Sequence, residues 1–230
     1  MEKPYIKKYK RTIGADVYFV DGEFVRSNID KEFTNFGQHY RFPFIPQNEF
    51  WIDGEKKTGE TDFFVGHMII ERRMMKQGKS YAEAIDIANK IEKRERARSV
   101  FSKEIKRLPK DERMEKVKKE KLIDAGKISV WLVKGELVRD LFYIDFTEGG
   151  HDKVYSFVPE NEVWIDDDLS FGERKYVLVH ELNERWLMFR GEDYDSAHLS
   201  SSSLEFFCRK IEFMTLPILL FLKFANRFLI

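Results

Sequence analysis

The chain has 230 residues, 43% of them hydrophobic and 15% aromatic, which is enough for a packed core in one large or two small domains. Lysine plus arginine balances aspartate plus glutamate at 40 each, which argues against a globally basic nucleic-acid-binding protein. The single cysteine, Cys208, excludes an intramolecular disulfide bond and fits a reducing compartment. The basic N-terminus has no apolar signal segment, so we expect a cytoplasmic protein.

The sequence repeats itself at a constant offset of 113 residues. When residues 14–98 are set against residues 127–211 without gaps, roughly three positions in ten are identical. The similarity indicates an internal duplication. It divides the chain into a first repeat (14–98), a charged helical linker (99–126), a second repeat (127–211) and an apolar C-terminal tail (212–230).

Each repeat opens with a pattern typical of short strands. Two alternating apolar runs are each interrupted by a glycine, Gly22 or Gly135, and cover residues 17–26 and 130–139. Glycine supplies the backbone conformation that a tight turn requires, so each run predicts a β-hairpin. Further short strands follow in both repeats. Residues 1–13 show no clear pattern, and we interpret them as a basic leader.

Each repeat then continues into two helices. Ser170 and Glu173 form a capping box, which predicts a helix that begins at about Phe171 and stops at Gly191. Asp193 is expected to cap the returning helix. The predicted fold class is therefore α+β, with two tandem repeats, each a short antiparallel β-meander followed by an antiparallel helical hairpin.

The linker and the tail differ in chemistry. Charges of both signs alternate through the linker, so we expect a solvated helical connector that breaks near Pro109. The alternative hypothesis is that its lysines bind nucleic acid. The tail is apolar but is interrupted by Lys223 and Arg227, and it is short for a membrane span. We expect the tail to dock on one of the repeats. The alternative is that it contacts a membrane surface or a partner.

Four side chains of the second repeat are predicted to meet on one seam of its helical hairpin. His180 and Glu184 are four residues apart and share a helix face. His198 and Glu205 are seven apart and also share one. Counting the rise along antiparallel helices sets Glu184 level with His198, and His180 level with Glu205. These side chains either bind a metal ion or form a buried salt-bridge network that holds the helices together.

The segment VLVHELNE resembles the active-site helix of zinc-dependent peptidases, whose signature is His-Glu-x-x-His. In the gluzincin group of these enzymes, a glutamate on a following helix completes the ligand set. The resemblance implies zinc held by His180, by Glu184 at the place of the second histidine and by Glu205, with His198 able to restore a second imidazole. It implies Glu181 as the general base, and a metal-dependent hydrolase that acts on a peptide or protein. The duplicated arrangement also resembles proteins of phage-like genomes.

The first repeat is expected to hold a degenerate copy of this site. It keeps one histidine and two glutamates of the seam as His67, Glu71 and Glu92. It carries Met68 and Ile85 where the second repeat has its predicted base and its second histidine. Retention of the shared set favours either a structural network in both repeats or a metal that the first repeat binds without turnover.

Two further side chains of the second repeat are candidates for orienting a substrate. Arg185 follows Glu184 directly, and it either binds a substrate anion or balances the charge of the carboxylates. Tyr194 opens the returning helix, where it either contacts substrate or packs onto the preceding helix.

Overall fold

A computed structural model describes residues 4–56, 58–125 and 127–227. The chain divides into two compact units. The first contains the described residues up to Pro109 together with Arg139–Asp145, and the second contains Lys110–Val138 and the described residues from Phe146 onward. In each unit the strands come first and a helix pair follows, so the predicted α+β class is confirmed.

The two units have sheets of the same design in the described residues. In the first unit, the strands are β1 (Tyr5–Thr12), β2 (Ala15–Val20), β3 (Phe36–Gln38) and β4 (Glu49–Asp53). They lie in the order β1-β2-β4-β3, with β2 antiparallel to β1 and parallel to β4. In the second unit, the strands are β5 (Lys118–Ala125), β6 (Ile128–Val133), β7 (Gly149–His151) and β8 (Glu162–Asp166). Their order and directions are the same.

The central strands of each sheet run parallel, so the sheets are mixed and differ from the predicted antiparallel meander. The chain does not turn back after β2 but enters helix α1 (Gly22–Asn28). Asp21 begins this helix, because its side chain accepts a hydrogen bond from the backbone N–H of Phe24. Helix α6 (Gly135–Leu141) follows β6 in the same way. The predicted hairpins are wrong, and the helices begin the crossover that parallel neighbours require.

The glycines that suggested those hairpins are needed for close packing. A Cβ atom at Gly22 would lie 1.9 Å from Oδ2 of Asp53, and one at Gly135 would lie 2.1 Å from Oδ2 of Asp166. Neither glycine has a positive φ. Each therefore allows a helix N-terminus to approach the carboxylate at the end of the neighbouring strand.

The outer strands, β1 and β5, lie where the sequence predicted no strand. β1 occupies most of the presumed leader, so that interpretation is wrong. The linker is helical with the predicted break near Pro109, but its last part forms β5 instead of a helix. Charged side chains line β1 and most of it is exposed, which hides the alternation that marks a half-buried strand. The rest of the linker forms helices α4 (Val100–Lys106) and α5 (Lys110–Val117). Gly126 lies outside the described residues.

The helix pairs agree with the sequence. They are α2 (Thr61–Lys76) and α3 (Tyr81–Arg96) in the first unit, and α7 (Phe171–Phe189) and α8 (Tyr194–Lys210) in the second. The side chain of Ser170 accepts from the N–H of Glu173, and that of Asp193 accepts from the N–H of Ser196, as the predicted caps require. Gly191 adopts a φ of +96°, the conformation that ends a helix and favours glycine.

Most of the apolar tail forms helix α9 (Thr215–Arg227), which packs against α7. Leu219 and Leu222 are buried in the core of the second unit, and each fully buried leucine contributes about 1.5–3 kcal/mol. The buried Asn226 donates to the carbonyl oxygens of Leu182 and Leu222, at 2.9 Å each. Residues 228–230 of the predicted tail lie outside the described residues. Within the described chain, no helix is both long and apolar enough to cross a membrane.

Candidate metal centre

Three possible ligand atoms converge where α7 and α8 face each other. Nε2 of His180 lies 3.3 Å from Oε2 of Glu184 and 3.3 Å from Nδ1 of His198. Oε2 of Glu184 lies 2.7 Å from Nδ1 of His198. Glu184 therefore lies opposite His198 along the helix pair, as predicted. His180 lies opposite Glu205, also as predicted, and their side chains are 3.0 Å apart.

The spacing of these atoms fits a tetrahedral metal ion. Nitrogen and oxygen ligands about 2.0–2.1 Å from zinc lie about 3.3–3.4 Å from one another in a tetrahedral site. Two of the three observed separations are 3.3 Å. The third, between Glu184 and His198, is 2.7 Å, the length of a charged hydrogen bond, and it would have to widen by a few tenths of an ångström. These distances would suit a metal ion after a small movement of the partly exposed His198 side chain.

Without a cation, hydrogen bonds between the histidine rings and the carboxylates stabilise this cluster. Burial opposes a charge on His180, but its hydrogen bonds with Glu184 and Glu205 outweigh burial and raise the pKa of the ring well above its usual value. Burial also favours neutral Glu184, but hydrogen bonds from His151, His180 and His198 lower the pKa of its carboxyl below the usual range. A metal ion that binds Nε2 of His180 would therefore have to displace a proton from that nitrogen.

Glu205 lies at the other nitrogen of His180 and does not join the three converging atoms. Its Oε2 is 3.0 Å from Nδ1 of His180, and its Oε1 accepts from Nη2 of Arg209 at 2.7 Å. Burial acts to raise the pKa of Glu205, but the hydrogen bond from His180 and the charge of Arg209 lower it to about 2. Glu205 therefore lies where it orients the ring of His180, and not where it was expected as a metal ligand.

Glu181 lies beside the cluster, and its carboxyl group is buried. A Cβ atom at Gly149 would lie 2.8 Å from Oε1 of Glu181, so the glycine leaves the space that this side chain fills. Within the described part of the chain, Glu181 makes no hydrogen bond or ion pair. Burial, together with the charges of Glu184 and Glu205, raises its pKa well above the usual value, against the opposing effect of His180. In the absence of a cation, these surroundings therefore favour the neutral form of the carboxyl.

His151 also contacts the cluster, and sequence reasoning missed it. It is fully buried at the end of β7, and its Nε2 lies 3.1 Å from Oε1 of Glu184. It precedes Glu184 by 33 residues, so no helical spacing connects the two. Burial lowers the pKa of the ring despite the hydrogen bond with Glu184. The one available signal was Gln38, which aligns with His151 and also carries a side-chain N–H donor.

The predicted substrate-orienting role of Arg185 is wrong. The side chain is 1% exposed, and its Nε donates to Asp152 at 2.6 Å. The remaining donors bind Asn161 at 3.0 Å and Asn226 at 3.3 Å, so Arg185 joins α7 to a loop and to α9. All three guanidinium nitrogens of this buried side chain donate to protein side chains, which gives Arg185 a structural role.

Tyr194 lies at the start of α8, next to the exposed edge of the cluster. Its ring stacks on the ring of His198, with centroids 5.4 Å apart and planes 28° apart, and Tyr194 is 45% exposed. This ring contact places Tyr194 beside one of the three converging ligand atoms. Its role in orienting a substrate stays a prediction.

The first unit contains the same sequence of side-chain pairs without the third ligand atom. Nδ1 of His67 lies 2.8 Å from Oε2 of Glu92, and its Nε2 lies 3.4 Å from Oε2 of Glu71. Arg96 donates to Glu92 at 2.7 Å, as Arg209 does to Glu205 in the second unit. Among the described residues of the first unit, no set of three histidine, cysteine or carboxylate side chains converges closely enough to hold a metal ion.

No protein-family model, curated protein or solved structure matches this chain. The similarity to zinc peptidases consequently rests on the helix that carries His180, Glu181 and Glu184. Any function must be inferred from the geometry and charge of these side chains.

Proposed function

We propose that the second unit binds a zinc ion through Nε2 of His180, Oε2 of Glu184 and Nδ1 of His198, and that it hydrolyses a peptide or protein substrate. The convergence of these three atoms, at separations of 2.7 to 3.3 Å, is the observation that carries the proposal. Zinc accepts both imidazole nitrogen and carboxylate oxygen as ligands, and a catalytic site provides three protein ligands and one open position.

The neighbouring residues supply the remaining requirements. Zinc would act as a Lewis acid on a bound water molecule or carbonyl oxygen. Glu205 accepts a hydrogen bond at Nδ1 of His180, which leaves the lone pair of Nε2 for the metal. Burial and the neighbouring carboxylates favour the neutral form of Glu181, and a nearby positive charge favours its carboxylate form. As a carboxylate, Glu181 can accept a proton from a water molecule beside the cluster.

The exposed side of the cluster indicates where a substrate would approach. The side chain of His198 is 39% exposed, whereas those of Glu184 and His180 are 4% and 11% exposed. Tyr194 stacks on His198 at the same surface. A substrate would therefore reach the zinc position across the N-terminal half of α8.

The test is the zinc content of full-length protein purified without chelators, followed by hydrolysis of an unstructured protein substrate. We expect one zinc ion per chain, lost in His180→Ala. Glu181→Gln is expected to keep the zinc and abolish hydrolysis. His67→Ala, the matched change in the first unit, is expected to leave the zinc content unchanged. A folded wild-type protein that takes up no added zinc would refute the proposal.

A second candidate is a purely structural role for the buried network. One observation favours it, because the histidine, the two glutamates and the arginine are connected in the same way in the first unit. This candidate predicts that His198→Ile, which installs the residue of the aligned position Ile85, changes neither metal content nor any activity. Loss of one bound zinc in the same variant instead supports the metal site.

A further inference from the structure

Both ring nitrogens of His151 are engaged, and together they define its tautomer. The backbone N–H of Lys153 donates to Nδ1 at 3.2 Å. Because a backbone amide can only donate, Nδ1 presents its lone pair, and the hydrogen of the neutral ring resides on Nε2. Nε2 faces Oε1 of Glu184 at 3.1 Å. His151 is therefore a hydrogen-bond donor to Glu184.

This tautomer excludes a second role that the distances alone would allow. Ligand atoms of His151, Glu181 and Glu184 lie within 4.8 Å of one another, which is close enough for another metal ion. A metal bound to Nε2 would require the hydrogen to move to Nδ1. At Nδ1 that hydrogen would point at the N–H of Lys153, and two donors would face each other. His151 consequently belongs outside the ligand set.

We propose that His151 is a positioning residue for the zinc site, because its Nε2–H holds Oε1 of Glu184 and so directs Oε2 toward the metal. The inference rests on the proposed zinc site. The two oxygens of Glu184 are already divided in this way, since Oε1 meets His151 and Oε2 meets His180 and His198. Partners of this kind orient ligands in known metal sites, and their loss reduces metal affinity by about 10–100-fold.

The first unit supports this assignment with a different side chain. Gln38 aligns with His151, and its Nε2 donates to Oε1 of Glu71 at 2.7 Å. Glu71 in turn aligns with Glu184. The amide of Gln38 and the imidazole of His151 thus each donate an N–H to the equivalent carboxylate oxygen of their own unit. The shared property is donation, and the chain itself provides His151→Gln as the conservative substitution.

The experiment compares zinc affinity in wild type, His151→Gln and His151→Leu by competition with a chromogenic chelator. We expect His151→Gln to remain near wild type and His151→Leu to bind about 10–100-fold more weakly. The visible spectrum of the Co²⁺-substituted protein should be unchanged in His151→Gln, because the ligand set is the same. Equal losses in both variants, or two zinc ions in wild type and one in His151→Gln, would overturn the proposal and make His151 a ligand.

A metal-independent measurement separates this inference from the zinc site. The ¹⁵N chemical shifts of His151 in zinc-free protein should show a protonated Nε2 and an unprotonated Nδ1. A protonated Nδ1 would overturn the positioning role even if zinc binds. If wild type binds no zinc while Nε2 is protonated, the proposed zinc site fails, and the donor assignment for His151 stands by itself. The shifts also remain informative if His151→Leu does not fold.

Discussion

Raising the pH from about 6 to about 10 is expected to destabilise the first unit through His67. Burial opposes protonation of this ring, but hydrogen bonds with Glu71 and Glu92 raise its pKa from 6.5 to about 9. A raised pKa in the folded state means that folding stabilises the protonated form. The stabilisation is fully present below the unfolded pKa of 6.5 and is lost as the pH rises through about 9.

The rise from 6.5 to about 9 corresponds to about 3 kcal/mol of stability, because each tenfold change in a proton equilibrium is worth about 1.4 kcal/mol. This is a large fraction of the about 5–15 kcal/mol that stabilises a typical protein. The pKa of the Glu92 carboxyl is lowered, because its hydrogen bond with His67 and the charge of Arg96 outweigh burial, so this partner does not titrate in the same pH range. His67 also lies outside the candidate zinc site, so the effect does not depend on metal.

The assay is urea unfolding of the full chain, followed by the methyl resonance of Met68. This side chain is fully buried in the core of the first unit and reports its unfolding. His67→Gln removes the titrating ring and serves as the control. The difference in unfolding free energy between wild type and His67→Gln should shrink by about 3 kcal/mol between about pH 6 and about pH 10. A difference that stays constant, or an NMR titration that gives His67 a pKa of 6.5 or lower, would refute the reasoning.

Three further substitutions test the second unit. Gly149→Ala places a Cβ atom 2.8 Å from the Glu181 carboxyl, so we expect a loss of about 1–3 kcal/mol in urea unfolding; unchanged stability would show that Glu181 moves freely. Asn226→Ala removes the donor to two buried carbonyl groups and should cost about 1–3 kcal/mol. An unchanged midpoint of urea unfolding would mean that this contact does not hold α9 against α7. Asp193→Ala removes the cap of α8 and should cost about 0.5–2 kcal/mol, measured by thermal unfolding, and the idea fails if the melting temperature is unchanged.

Helices could be predicted from the sequence because their signals are local. Ser170, Asp193 and Gly191 each define a helix boundary within a few residues, and each acts as expected. The contact between His180 and Glu205 followed from the rise per residue once the hairpin was recognised. The rise per residue gives the position of a side chain along the helix axis. It does not show which nitrogen of a histidine faces which neighbour, so Glu205 was assigned to the wrong side of the ring.

Features that depend on distant partners could not be predicted in the same way. Asp21 and Gly22 are typical of a turn, and only the packing of Gly22 against Asp53 reveals that a helix begins there. His151 lies on a strand of three residues, too short for a periodic pattern. Its contact with Glu184 exists because β7 pairs with β8 beneath α7, which no local spacing describes.

The side chains found in the second unit but not at the aligned positions of the first unit can be accommodated only together. Glu181 fits because Gly149 has no side chain, whereas Phe36 and Met68 occupy the aligned positions of the first unit and pack in its apolar core. The fold is therefore complete with a methionine at this position. A largely buried carboxyl without a hydrogen bond lowers stability, because burial removes most of its hydration and no hydrogen bond from the described chain replaces it. A cation held by Glu184 and its two histidine neighbours would compensate for that loss, and this dependence is the strongest physical reason to seek a metal in the second unit.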